Sequence, residues 1–179
     1  KSYDSMFEGG WDKEREHRLA RQKELGIVPE NTEMPPRNDG VKAWDEHTAD
    51  EHRLYTRLQS AYAGMLDHTD RHISRLIDFL EETGQMDNTL ILVLSDNGAS
   101  QEGGRNGLVN AMGPFNLRPE PMEEKLARIE DIGGPDTHSN FPHGWAMAAN
   151  SPLKRYKQNT HGGGIRDPLI ISWPKGLPA

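Results

Sequence analysis

Thr89-Leu-Ile-Leu-Val-Leu-Ser-Asp-Asn-Gly98 is the stretch that decides the fold class. Its first six residues are β-branched or aliphatic and carry no charge, the pattern of a strand buried on both faces. Such strands belong to parallel sheets covered by helices, so the run predicts an α/β fold. The apolar run stops abruptly at Ser95-Asp96-Asn97-Gly98. In open α/β sheets, ligands lie outside the carboxyl ends of strands, where Asp96 and Asn97 fall. An acid beside an amide offers hard oxygen donors to a cation such as Ca²⁺ or Mg²⁺. The same three residues, Asp-Asn-Gly, also favour an ordinary turn. Residue chemistry leaves both readings open.

Working outward, the preceding segment carries the strongest periodic signal. Thr48 and Glu51 have capping-box spacing. Leu54, Leu58, Tyr62, Met65, Thr69, Ile73, Leu76 and Leu80 then recur at steps of three and four, which predicts one apolar stripe on a helix over 48–83. Gly84 ends it, and a break near Gly64 would be unsurprising at that length. Helix, short turn and buried strand form one αβ unit of a layered fold. Upstream, residues 8–25 are dense in charge, with Trp11 and Leu19 as sparse apolar contacts and Gly26 as the stop; they predict a solvent-facing helix. Residues 27–47 are rich in turn formers and predict a long connecting loop.

Downstream, residues 99–119 predict loop, and a short helix follows with Met122, Leu126 and Ile129 on one face. Residues 135–163 predict irregular structure carrying His138, His143, Trp145, Lys154, Lys157 and His161. Pro168-Leu-Ile-Ile-Ser-Trp173 predicts a second strand. No repeat or low-complexity tract stands out.

Bulk composition narrows the function. The 179 residues carry a net charge of -7, which argues against nucleic-acid or anionic-membrane partners that need a basic patch. No apolar run approaches the roughly 20 residues of a membrane-spanning helix. The apolar fraction of 34% and the mean hydropathy of -0.84 fit a folded chain with much loop. With no cysteine, the chain offers no disulfide and no thiolate. It begins at Lys1 without an initiator Met, which suggests a fragment; compartment is not legible.

Few residues carry a chemical signature alone. There is no Gly-x-Ser-x-Gly elbow and no phosphate-binding Gly-x-x-x-x-Gly-Lys loop. His68 and His72 stand four apart, but His-Thr-Asp-Arg-His lacks the glutamate of a zinc-protease helix, which favours a structural role. Lys157 precedes the run Gly162-Gly-Gly164, where backbone can approach a ligand closely. Its ammonium could pair with a tetrahedral anion. By itself it is one more exposed lysine.

Taken together, these stretches resemble the sulfatase family, within the alkaline-phosphatase-like superfamily. The resemblance runs in order through Gly10-Trp-Asp12 with Arg15 to Gly26, Met34-Pro-Pro-Arg37, Asp67-His-Thr-Asp70, Asp87 to Gly98, Lys157 to Pro168, and Ser172-Trp-Pro174. Its loop lengths look most like the bacterial arylsulfatase branch. The resemblance implies a mixed β-sheet sandwiched by helices, with long irregular loops. It implies hydrolysis of a small-molecule sulfate ester by a formylglycine that a maturase makes from Cys or Ser. Asp96 and Asn97 match two oxygen ligands of the family's divalent cation, usually calcium. Lys157 matches its sulfate-contacting lysine, and His143 and His161 are further candidates for lining the pocket.

The departures are equally definite. No Cys or Ser stands in the Cys/Ser-x-Pro-x-Arg motif, since Ser151 is followed directly by Pro152. The paired aspartates and the upstream histidine of the family pattern are missing, and Gly162 replaces the usual Glu. Residues 1–179 are therefore expected to be the central part of one sulfatase catalytic domain. The nucleophile-bearing N-terminal part and the C-terminal part would lie outside them, and the piece alone would be inactive. A phosphoesterase or phosphonate hydrolase of the same superfamily, or a non-catalytic sulfate- or sugar-binding relative, is the alternative.

Overall fold

The computed structural model describes residues 3–177. Two short helices begin the chain, α1 (Asp4–Phe7) and α2 (Gly10–Glu24). After a long loop comes α3 (Ala49–Glu82), then β1 (Ile91–Leu94). The connecting region holds α4 (Met112–Phe115), α5 (Met122–Ala127) and α6 (His143–Ala149). Last come α7 (Gly162–Ile165) and β2 (Leu169–Ser172). The architecture is α/β, rich in helix and loop.

The helix ends form for the reasons that the sequence announces. Thr48 and Glu51 make both halves of the capping box: Glu51 N–H donates to the Thr48 hydroxyl at 3.3 Å, and Thr48 N–H donates to the Glu51 carboxylate at 2.8 Å. At the far end, Gly84 adopts φ +67°, and Gln85 N–H reaches back to the Leu80 carbonyl at 2.8 Å. Gly26 closes α2 in the same way, with Ile27 N–H on the Gln22 carbonyl at 2.9 Å. The 34-residue α3 runs through Gly64 without a break.

One aromatic core holds the chain together. Trp11 of α2, Trp44 on a 3₁₀ turn (Trp44–Glu46), Tyr55 of α3 and Trp145 of α6 pack with ring centroids 4.8–5.8 Å apart. Trp11 and Trp145 are each only 1% exposed, and their indole N–H groups donate to the Lys42 and Tyr55 carbonyls. The charged face of α2 is exposed as expected, and the sparse apolar residues Trp11 and Leu19 reach the core. Arg15 is buried with them and donates to the Pro35 carbonyl of the long loop. The expected irregular run 135–163 needs correction, because it contains α6, whose Gly144 to Ala148 are all buried.

The sheet differs from the expected covered, parallel arrangement. Among the described residues, β1 pairs with β2 alone and runs antiparallel, with Ile91 opposite Ser172 and Leu94 opposite Leu169. Leu92, Val93, Leu94, Leu169, Ile170 and Ile171 are exposed. The stripe on α3 behaves likewise: Leu54 and Leu58 are buried, while Met65, Ile73 and Leu76 are exposed. An apolar run reports that both faces suit contact, but it specifies neither the direction of the neighbouring strand nor which residues supply the cover.

Candidate functional site

The turn after β1 and the loop around Lys157 are brought together by backbone. Lys157 N–H donates to the Ala99 carbonyl at 3.1 Å, and Gly98 N–H donates to the Gly164 carbonyl at 3.3 Å. Gly98 and Gly163 meet so closely that a Cβ at Gly98 would lie 1.7 Å from the Gly163 carbonyl oxygen. No side chain fits at Gly98, and a Cβ at Gly163 or Gly164 would lie 2.1 Å from the Arg155 or Asn159 carbonyl oxygen, so both sides of the seam require glycine. Gln101 and Gln158 add a side-chain bond of 2.7 Å across the same seam.

A cleft of about 1010 Å³ opens over this seam. Ser95, Asp96, Asn97, Asn150, Lys157 and Asp167 are among its lining residues, with His68 and His138 also on its wall. Asp96 is exposed, so its carboxylate faces water, and Asn97 is half-buried beside it. These two offer adjacent oxygen donors of the hard type that Ca²⁺ or Mg²⁺ prefers. Among the described residues, no group of three or more His, Cys, Asp or Glu side chains could hold an ion. His68 and His72 touch ring to ring at 4.4 Å on exposed α3 and gather no such group.

Lys157 carries a partner that the sequence did not single out. Its Nζ lies 2.7 Å from Glu102 Oε1, and the other Glu102 oxygen accepts from the Ser100 hydroxyl. The bond to Glu102, the charge of Glu102 and, more weakly, the charge of Asp96 all raise the Lys157 pKa above its ordinary value. Burial pushes the Glu102 carboxyl up, yet the bonds from Lys157 and Ser100 outweigh it and hold the group below its usual range. Lys157 is thus held as a cation beside the cleft, aimed by a carboxylate that is mostly buried.

The two histidines sit elsewhere. His143 opens α6, with its Nε2 at 3.1 Å from the Gln101 carbonyl, which can only accept, so that nitrogen carries the proton. Burial lowers its pKa, and it borders a separate pocket of about 280 Å³ with Trp11, His47 and Arg105. His161 is exposed, and its Nδ1 accepts from the Gly162 N–H at 2.9 Å. Neither is among the residues lining the cleft of Asp96 and Lys157.

Residues missed from sequence alone include Glu102, Ser100 and Asn150. Asn150 takes the Ala99 N–H at 3.1 Å and gives its two amide protons to the carbonyls of Arg155 (3.0 Å) and Gly163 (2.8 Å). Only its place directly before Ser151-Pro152, at the end of a short apolar run, hinted at it.

Comparison with known proteins fixes the family: the sulfatase family model matches residues 3–179. The chain belongs to the sulfatase family. An uncharacterized sulfatase of Schizosaccharomyces pombe is 35% identical over 173 residues, covering 96% of this chain and 30% of that protein. The arylsulfatase of Klebsiella aerogenes is 27% identical over 175 residues, covering 97% of this chain and 36% of that protein. This sulfatase chain therefore spans about a third of the length of the curated relatives it matches. No helix among its described residues is long and apolar enough to cross a membrane.

Proposed function

We propose that this chain is the central part of the catalytic domain of an arylsulfatase-like sulfate-ester hydrolase, with the nucleophile-bearing and C-terminal parts supplied by further sequence. The observation that carries the proposal is that Asp96, Asn97 and Lys157, from two distant segments, line one cleft over a seam of glycines. Asp96 and Asn97 would hold a divalent cation, with calcium the proposed ion, as two of its oxygen ligands. When bound, such a cation neutralises and orients sulfate oxygens that would otherwise repel an incoming nucleophile.

The chain's own residues supply the rest of the argument. Lys157 binds a sulfate oxygen as a compact point charge. Glu102 holds that ammonium in place, so less orientation has to be gained when the ester binds. Glycine on the seam lets the two walls close on each other, which sets Lys157 near the Asp96–Asn97 turn. Aligned positive charge of this kind, fixed before the reaction, is commonly a large part of transition-state stabilisation. The nucleophile would be a formylglycine, made by a maturase in a Cys/Ser-x-Pro-x-Arg motif that these 179 residues do not contain.

The test is direct. The full-length protein, co-expressed with a formylglycine-generating maturase and loaded with calcium, should release nitrophenol from its sulfate ester. Release from the phosphate ester with no release from any sulfate ester would replace this reading with phosphoryl transfer.

A further inference from the structure

Asn150 occupies a position that joins three separate pieces of backbone. Its Oδ1 accepts from Ala99, two residues beyond Asn97, and its Nδ2 donates to Arg155, two residues before Lys157, and to Gly163 in the glycine run. A primary amide is well suited to this position: it presents an acceptor on one side and two donors on the other. Asn150 also directly follows α6, the helix whose Gly144 to Ala148 are buried in the aromatic core. The amide therefore ties both walls of the cleft to the best-packed part of the molecule.

The loop around Lys157 would not keep its shape unaided. Arg155 and Gln158, on either side of Lys157, stand at φ +68° and +69°, a conformation that costs a non-glycine residue energy and persists only when its surroundings fix it. The Arg155 carbonyl is one of the two that Asn150 grips. Two backbone bonds, Lys157 N–H to Ala99 and Gly98 N–H to Gly164, would still join the walls without Asn150. They would lose the link to the end of α6, leaving His143 at its start, on the Gln101 carbonyl, as the nearer tie.

We propose that Asn150 is a positioning residue for the sulfate-ester reaction: it sets the placement of the Lys157 ammonium relative to the Asp96–Asn97 turn. This rests on the reading that those three residues act on one sulfate group. An aspartate in its place keeps the shape and the acceptor but turns an oxygen toward two carbonyl oxygens. Misplacement of an aligned group by about 1 Å costs on the order of 10²-fold in rate, and that is the loss expected of Asn150→Asp in kcat/KM.

The experiment uses the full-length, matured, calcium-loaded protein and nitrophenyl sulfate. Asn150→Asp, Lys157→Ala and the double variant form a cycle, with hydrogen exchange over residues 97–101 read in parallel. If Asn150 works through Lys157, its substitution costs far less in the Lys157→Ala background than in the wild type. Equal losses in both backgrounds would overturn the proposal while leaving the sulfatase reading intact. A wild type that hydrolyses no sulfate ester would overturn both. Should Asn150→Asp not fold, Asn150→Ser in the same cycle and exchange in the wild type decide. An Ala99 amide that exchanges as fast as an unstructured one means that Asn150 holds nothing there, and the proposal falls.

Discussion

Gly98→Ala is the sharpest perturbation that the geometry offers. The new Cβ would lie 1.7 Å from the Gly163 carbonyl oxygen and 2.8 Å from its carbon, so the obstacle is backbone and cannot rotate away. To restore ordinary contact, the two walls must part by more than about 1 Å, which forces strain of the overpacking kind, about 1–3 kcal/mol. Parting also breaks the Gly98 N–H bond to Gly164 and moves the Asp96–Asn97 turn relative to Lys157. A shift of that size predicts a rate loss on the order of 10²-fold in addition to the loss of stability. The assay is kcat/KM on nitrophenyl sulfate with the urea midpoint of the same full-length preparation. A Gly98→Ala protein with wild-type kcat/KM and an unchanged midpoint would refute the close approach on which the site is built.

Asp96→Ala should abolish activity together with tight calcium binding, measured by titration calorimetry; retained affinity would remove Asp96 from the cation site. Glu102→Gln should lower the Lys157 pKa, because the charge that raises it is lost and the remaining bond to a neutral amide oxygen is weaker, and the alkaline limb of the pH–rate profile should move to lower pH. The sign for stability follows from the two shifts. The depressed Glu102 contributes above its unfolded value near 4.5 and loses that contribution as pH falls through its folded pKa. The raised Lys157 contributes below its unfolded value near 10.5 and loses it as pH rises through its folded pKa. Wild type and Glu102→Gln should therefore differ most in urea midpoint between those limits and converge at acid pH. Trp11→Ala empties the centre of the aromatic core and should cost about 3–5 kcal/mol by urea denaturation.

Local rules were legible in the sequence where one residue's chemistry sufficed. Thr48 and Glu51 cap α3, Gly26 and Gly84 stop their helices, and the Leu-rich run of 89–94 contains a strand. Long-range choices were not. Three tryptophans scattered among charged and turn residues gave α2, the 3₁₀ turn at Trp44 and α6 no periodicity, yet they meet in one core. Strand direction was misjudged because an apolar run is the same whichever way its neighbour points. At the proposed site, resemblance singled out Asp96, Asn97 and Lys157, which line one cleft. Glu102 and Asn150 were not, because their significance lies in contacts that only the folded loops create.

The two walls of the cleft differ in how firmly they are secured. Asn150 hangs from a helix with five consecutive buried residues, whereas β1, which leads into Asp96, is exposed at three of its four positions and pairs among the described residues with β2 alone. Leu92 to Leu94 and Leu169 to Ile171 stand exposed on that pair, and on the proposed reading further sequence of the domain would cover them. The Lys157 wall thus takes its packing from within these residues, and the Asp96 wall from outside them. Residues 1–179 expressed alone should lose amide-exchange protection along Ile91–Leu94 before the tryptophan core does.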